Sequence, residues 1–294
     1  MINFRYHVVS IIGIFIALAV GVVLGAGPLQ RSINAGMNPS SSQAASDPVL
    51  SAQAEAEAAG LKALASSTLT GSLTGTSVAL VVLPGASDDD VSAIRSTLTD
   101  AGASVVGRVT LTDNWQSTSM SQYRTTLATT LASHLQSGGA KTASADGVVG
   151  YSIVQVLTST GAETDLLRQI LTDKSTPLMT IDEDPAGKAT TLVAVGARAQ
   201  TTTSTQASVA ASSDAWIGLG LAVGSTSGVV VGDASSREAM ISQIRTSGTA
   251  VTTVDSVGTT LAAVDTALAL AHGGSGARAF GVGNGAQSVV PSTK

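Results

Sequence analysis

Three short acidic stretches hold the side chains best suited to chemistry in this chain: Asp88-Asp89-Asp90, Asp182-Glu183-Asp184 and Asp233. Each closely follows an apolar run, so each is placed in a loop at a strand end. Converging carboxylates from Asp88, Asp89, Asp90, Asp182, Asp184 and Asp233 would hold a hard divalent cation through oxygen ligands. The same groups have ordinary uses, at helix N-termini, where negative charge is favoured, or in turns. Spacing alone leaves both open. Softer ligands are sparse. Cysteine is absent, His7, His134 and His272 stand far apart, and Met37, Met120, Met179 and Met240 are scattered. No Gly-x-Ser-x-Gly elbow or His-Glu-x-x-His appears. Gly281-x-Gly283-x-Gly285 lacks the spacing of a dinucleotide loop, and no acidic residue follows it, so it reads as a flexible tail. These residues predict a protein that is not an enzyme, with no catalytic set and no cofactor.

The elements that must position the acidic loops follow an alternating order. Val78 to Leu83 is a continuous apolar, partly β-branched run, the mark of a strand buried on both faces. Pro84-Gly85 turns the chain, Ser87 is placed to cap a helix, and Val91, Ile94 and Leu98 form that helix's apolar stripe. Gly102 ends it, and Ala103 to Val109 is the next strand. The order returns with a strand at 228–232, a capping turn from Asp233 to Ser236 and a helix carrying Ala239, Ile241, Ile244 and Arg245, closed by Gly248. Ala250 to Val254 is strand, Leu261 to Ala271 helix and Ala277 to Val282 a last strand. Between the two units, Ser121 to Gln136, Val148 to Thr158 and Glu163 to Leu171 read as helices. Pro177 to Ile181 and Thr191 to Val195 read as strands, and Ser208 to Val223 as a buried helix with Trp216 and Leu219 inward. Strands alternating with helices predict an α/β fold, a mostly parallel sheet flanked by helices in the Rossmann or flavodoxin-like manner.

The N-terminus has a different character. Val8 to Gly27 is twenty residues with one polar side chain, Ser10, and no charge. That suffices for a helix to cross roughly 30 Å of hydrocarbon. Pro28 would sit directly after a cleavage point, so the segment is expected to remain as an anchor rather than be removed as a signal. Arg5 and His7 precede it and Arg31 follows, which places the N-terminus inside. Gly13, Ala17, Gly21 and Gly25 recur every fourth residue and would form a small-residue packing face along one side of the helix. Such a face predicts a homo-oligomer or a hetero-complex within the membrane.

The stretch MINFRYHVVSIIGIFIALAVGVVLGAGPLQ resembles the N-terminus of the actinobacterial proteins named for mycobacterial copper transport at the outer membrane. The matching features are the Arg- and His-bearing lead, the Phe-x-Ala-Leu-Ala-Val-Gly core and the Val-Leu-Gly exit. TTVDSVGTTLAAVDTALALA, ahead of a Gly-rich end, is a second point of similarity. The two stretches cover about a sixth of the 294 residues. The resemblance implies an anchored extracytoplasmic domain and a link to copper. Relatives in corynebacteria further imply a role in cell-envelope and cell-separation control with a membrane partner. Family members usually carry a longer coiled coil after the span. Here Leu50, Ala54, Glu57, Leu61 and Leu64 make a heptad-like pattern of under three heptads, which reads as a short helix or tether.

The organisation expected is therefore a lead at 1–7, a transmembrane helix at 8–27 and a linker with a short helix at 28–76. An extracytoplasmic α/β domain at 77–283 and a flexible tail at 284–294 complete it. A net charge of −5 and a pI near 5.1 lack the basic footprint of a nucleic-acid binder. Cu(I) favours thiolate and thioether, with imidazole also serving copper, and no such ligands pair here. Two functions stay open, ahead of a third, a small-molecule sensor using the strand-end cleft. One is a non-enzymatic binding or assembly module of the envelope, anchored in the cytoplasmic membrane. The other is a copper transport or homeostasis component, located at the outer membrane as the family name implies.

Overall fold

A computed structural model describes residues 48–199, 210–272 and 276–292. The chain divides into two compact units, residues 1–53 and 54–294. Of the first, the described residues are the helical 48–53. The expected span at 8–27, with Gly13, Ala17, Gly21 and Gly25, lies outside the described residues. Among those described, no helix is long and apolar enough to cross a membrane.

Helix α1 (Pro48–Leu69) opens the described chain. Its 22 residues exceed the short helix or tether expected, and its last turns explain why. Ala65 and Leu69, with Leu73 beyond, are buried in the apolar cluster that also holds β1 residues, while Leu50 and Leu64 are exposed. The domain's core therefore starts before Ser77, and α1 is held by packing at one end, the usual source of helical stability in proteins.

Seven strands form one sheet in the order β3-β2-β1-β4-β5-β6-β7. They are β1 (Ser77–Val82), β2 (Ser104–Leu111), β3 (Met179–Glu183), β4 (Thr191–Val195), β5 (Val229–Val231), β6 (Thr252–Val254) and β7 (Arg278–Phe280). All pairings are parallel except β2 with β3. The mostly parallel sheet read from the alternation is thus present, with one antiparallel edge strand.

Helices cover both faces, as buried parallel strands require. On one face lies α2 (Asp88–Asp100) with α9 (Thr260–Ala271), packed over Val78, Leu80 and Val82 of β1 and Val229 and Val231 of β5. The opposite face takes Ala79 and Val81 of β1 and Val230 of β5. It is covered by α4 (Ser121–Leu131), α5 (Ala145–Thr158), α6 (Ala162–Leu171), α7 (Ser213–Gly224) and α8 (Met240–Thr246), with the short α3 (Asp113–Gln116) carrying the fully buried Trp115. Of the two residues expected inward on α7, Leu219 is buried. Trp216 is half-buried, its indole N–H donating to Gln116 Oε1 at 3.3 Å.

Two details emerge at the C-terminal end. The turn after β5 meets the next helix through its backbone, the Asp233 carbonyl accepting from Ile241 N–H at 2.9 Å. Asp233 Oδ1 accepts from the Ser235 N–H at 2.8 Å, and α8 begins only at Met240. Part of the tail is hydrogen-bonded to the last strand. Gln287 N–H donates to Ala279 O at 2.8 Å, Gly281 N–H to Ser288 O at 3.0 Å, and Phe280 bridges to Ser288. Residues 281–290 therefore fold back beside β7.

Candidate functional site

The acidic loops hold the carboxylates expected as cation ligands. Ser87 caps α2, its hydroxyl accepting from Asp89 N–H at 3.3 Å. Asp88 is taken by Arg108 Nη2 at 2.6 Å, and the same guanidinium lies 3.4 Å from Asp182, which also accepts from the Thr110 hydroxyl at 2.6 Å. Asp90 is buried and paired by two hydrogen bonds with Arg198, at 2.8 and 2.6 Å. Asp184 takes both Arg168 amino groups at 2.6 and 3.0 Å, which holds its carboxyl below the usual range together with the Ala186 N–H. Glu183 is held low by Arg95 in the same manner. Arginines thus take up the carboxylates of the first two clusters apart from Asp89, which makes no ion pair among the described residues, and Asp233 stands apart at the end of β5. Among the described residues, no three His, Asp or Glu side chains gather as a ligand set.

The remaining soft ligands are dispersed. His134 Nδ1 meets Glu163 at 2.5 Å, and His272 Nδ1 meets the Leu268 carbonyl at 3.1 Å. Met179 and Met240 are buried in the core, Met240 lying against Gly196 and Gly232. His7 and Met37 fall outside the described residues.

In open α/β sheets, ligands bind beyond the carboxyl ends of strands, most often where the strand order reverses. That reversal lies between β1 and β4, and its crevice is closed. The loops after the two strands approach so tightly that a side chain on Gly85 would stand 3.3 Å from Ala197 Cβ, and the Arg198–Asp90 pair joins the loop after β4 to the first turn of α2. The open pocket is displaced along the same edge, to the ends of β5, β6 and β7. Its volume is about 470 Å³, and Asp233, Ser235, Asp255, Ser256, Val282 and Asn284 contribute to its wall.

Asp255 is the centre of this site. It follows β6 directly, is 1 % exposed, and is surrounded by donors. Oδ1 accepts from the Ser256 hydroxyl at 2.7 Å and Val282 N–H at 2.8 Å. Oδ2 accepts from Gly283 N–H at 3.0 Å and Arg245 Nη1 at 2.9 Å. Burial alone would raise this carboxyl, but the hydroxyl, the two N–H groups and the guanidinium together bring it below the usual range. Burial pulls Arg245 down against the pull of Asp255, and the guanidinium stays charged near neutrality. Arg245 also donates to the carbonyls of Phe280 and Asn284, each at 2.8 Å. Ser256 has φ +62°, a left-handed conformation uncommon outside Gly, Asn and Asp. Gly281 has φ +121°, and any side chain there would run into the Asp255 carboxylate.

Ten residues on from Asp255, Asp265 of α9 is fully buried and neither of its oxygens has a partner. Burial first, then the charge of Asp255, pushes its carboxyl up to about 7. The acidic-loop pattern did not single out Asp255, Arg245 or Asp265. The signal available was an acid placed immediately after a buried strand, and an arginine on the same helix stripe as Ile241 and Ile244.

Residues 1–291 match the model of a family described as copper transport outer membrane protein, MctB. No curated protein matches the chain.

Proposed function

The chain belongs to the MctB family of copper transport outer membrane proteins, and from that premise we propose that it acts there as a non-enzymatic binding and assembly module. In this reading residues 8–27 anchor it in the cytoplasmic membrane and the α/β domain lies outside, working on envelope or cell-separation machinery with a membrane partner. The observation that supports it is the architecture of the domain. An open sheet with helices packed on both faces is filled by side chains and encloses no lumen. A single membrane helix encloses none either, so passage of an ion would require further subunits.

The family description itself favours a second reading, a copper transport or homeostasis component. The full chain in detergent, equilibrated with Cu(I) against a competing chelator, separates the two. The module reading expects no stoichiometric copper on the protein. Tight one-to-one retention would overturn it in favour of transport. Topology is tested with a tag after Lys294 in cells stripped of their outer layer. Protease added outside should remove the tag, and protection would reverse the proposed orientation.

A further inference from the structure

The pocket at the ends of β5, β6 and β7 has an uneven polar character. Its hydroxyls and several of its N–H groups are spent on the protein itself. Ser235 N–H and hydroxyl both go to Asp233, at 2.8 and 3.0 Å. The Ser256 hydroxyl and the N–H groups of Val282 and Gly283 go to Asp255. Asn284 turns its backbone N–H and its side-chain amide onto the Ala234 carbonyl, at 2.9 and 3.1 Å. Side-chain acceptor capacity remains. A carboxylate has about four lone-pair sites and Asp233 has used two, while the side-chain oxygen of Asn284 is a further acceptor. A ligand that brings donors can therefore be held by Asp233 and Asn284.

Charge narrows the choice further. Among the described residues lining the pocket, none is basic. Asp255 is matched by Arg245, but among the described residues no cation pairs with Asp233, which is half-exposed. The pocket thus disfavours phosphate or carboxylate ligands. Charge-assisted hydrogen bonds are roughly twice as strong as neutral ones, so an ammonium gains more here than a hydroxyl. Val257 and Val282 supply aliphatic surface. At about 30 Å³ per water, the volume equals on the order of fifteen waters, room for a compound of a few to a dozen heavy atoms.

We propose that this pocket binds a small organic ammonium compound, its N–H donors on Asp233 and its aliphatic body against Val257 and Val282. The site is independent of copper and of membrane topology, so it can fail while the module reading stands, and the reverse. The test is calorimetric titration of the full chain in detergent with 1,4-diaminobutane, with neutral 1,4-butanediol and with inorganic phosphate. Saturable binding of the diamine is expected, with the diol and phosphate at least about tenfold weaker, as the loss of a hydrogen bond to a charged group implies. Asp233→Asn should weaken the diamine by about the same factor. Ala199→Trp, at an exposed position on the pocket wall that leaves Asp233 and its bonds in place, should abolish binding without lowering the melting temperature. Absence of saturable diamine binding overturns the proposal. So does equal binding of the diol, or unchanged affinity in either variant.

Discussion

Asp265 shows how far one side chain can set the pH response of a domain. A carboxyl buried without a partner is tolerated best in its neutral form, and here it titrates at about 7 instead of near 4. Folding thus takes up a proton between those values. The stability this provides is fully present below the unfolded pKa and is lost as pH rises through 7. Replacing Asp265 by Leu should remove that slope and stabilise the protein by about 1–3 kcal/mol at pH 8, the usual cost of an unsatisfied buried polar group. The gain should shrink towards pH 4. Urea titrations of both proteins at pH 5 and pH 8 measure it, and a wild type equally stable at both values would contradict the assignment. Gly281 is the complementary case, a residue needed for what it lacks. Gly281→Ala forces a left-handed conformation and displaces the Asp255 carboxylate. A loss of roughly 1–3 kcal/mol is expected from strain of this kind, read as a lower melting temperature with the far-ultraviolet spectrum retained.

Among the elements, α8, β6 and the β7 loop are joined through one buried ion pair. Side-chain exposure is 7 % at Arg245 and 1 % at Asp255. Surface pairs such as Arg168 with Asp184 contribute little, because water and salt screen them. A buried pair behaves differently: removing one partner leaves an unmatched charge, which costs about 3–5 kcal/mol. Arg245→Met should therefore destabilise by that order, and the double change Arg245→Met with Asp255→Asn should recover part of it. Additive losses in the denaturant cycle would mean the two side chains do not act as a pair. The sequence made the frame legible at this scale. The apolar run 78–83, the Ser87 cap and Gly102 each sit where the pattern placed them, because local chemistry decides them. The end of the chain was not legible. Gly281, Gly283 and Asn284 carry no apolar pattern, and their partners are distant: Gly283 bonds Asp255 and Asn284 bonds Ala234, 28 and 50 positions earlier. The acidic clusters misdirected attention for a related reason. Their partners, Arg108, Arg168 and Arg198, lie 16 to 108 residues away, separations that no local spacing reveals.

For the whole molecule, the question is how the domain's surface and the proposed anchor work together. Gly13, Ala17, Gly21 and Gly25 would lie about 6 Å apart along a helix rising 1.5 Å per residue. A partner helix can approach such a stripe closely, and one large side chain would block it. Gly21→Ile should therefore weaken self- or partner association in bilayers while leaving insertion intact, since Ile favours the hydrocarbon. Energy-transfer measurements on labelled full chains, alone and with candidate membrane partners, provide the comparison. Association unchanged by Gly21→Ile in every pairing would remove the stripe from the assembly mechanism.

The closure of Asp255 by residues that follow it so late has a consequence for biosynthesis. While the chain is being made, that carboxylate emerges well before Val282 and Gly283, which supply two of its donors. A product cut or released before Gly281 would bury a charge with part of its shell missing. Such a chain should stay partly open and be cleared by proteases, which act on the transiently unfolded population. The stability of the fold would thus depend on the last loop being made. Chains stopped after Phe280 should accumulate far less than full-length ones in cells, and the gap should narrow when Asp255 and Arg245 are both replaced by apolar residues.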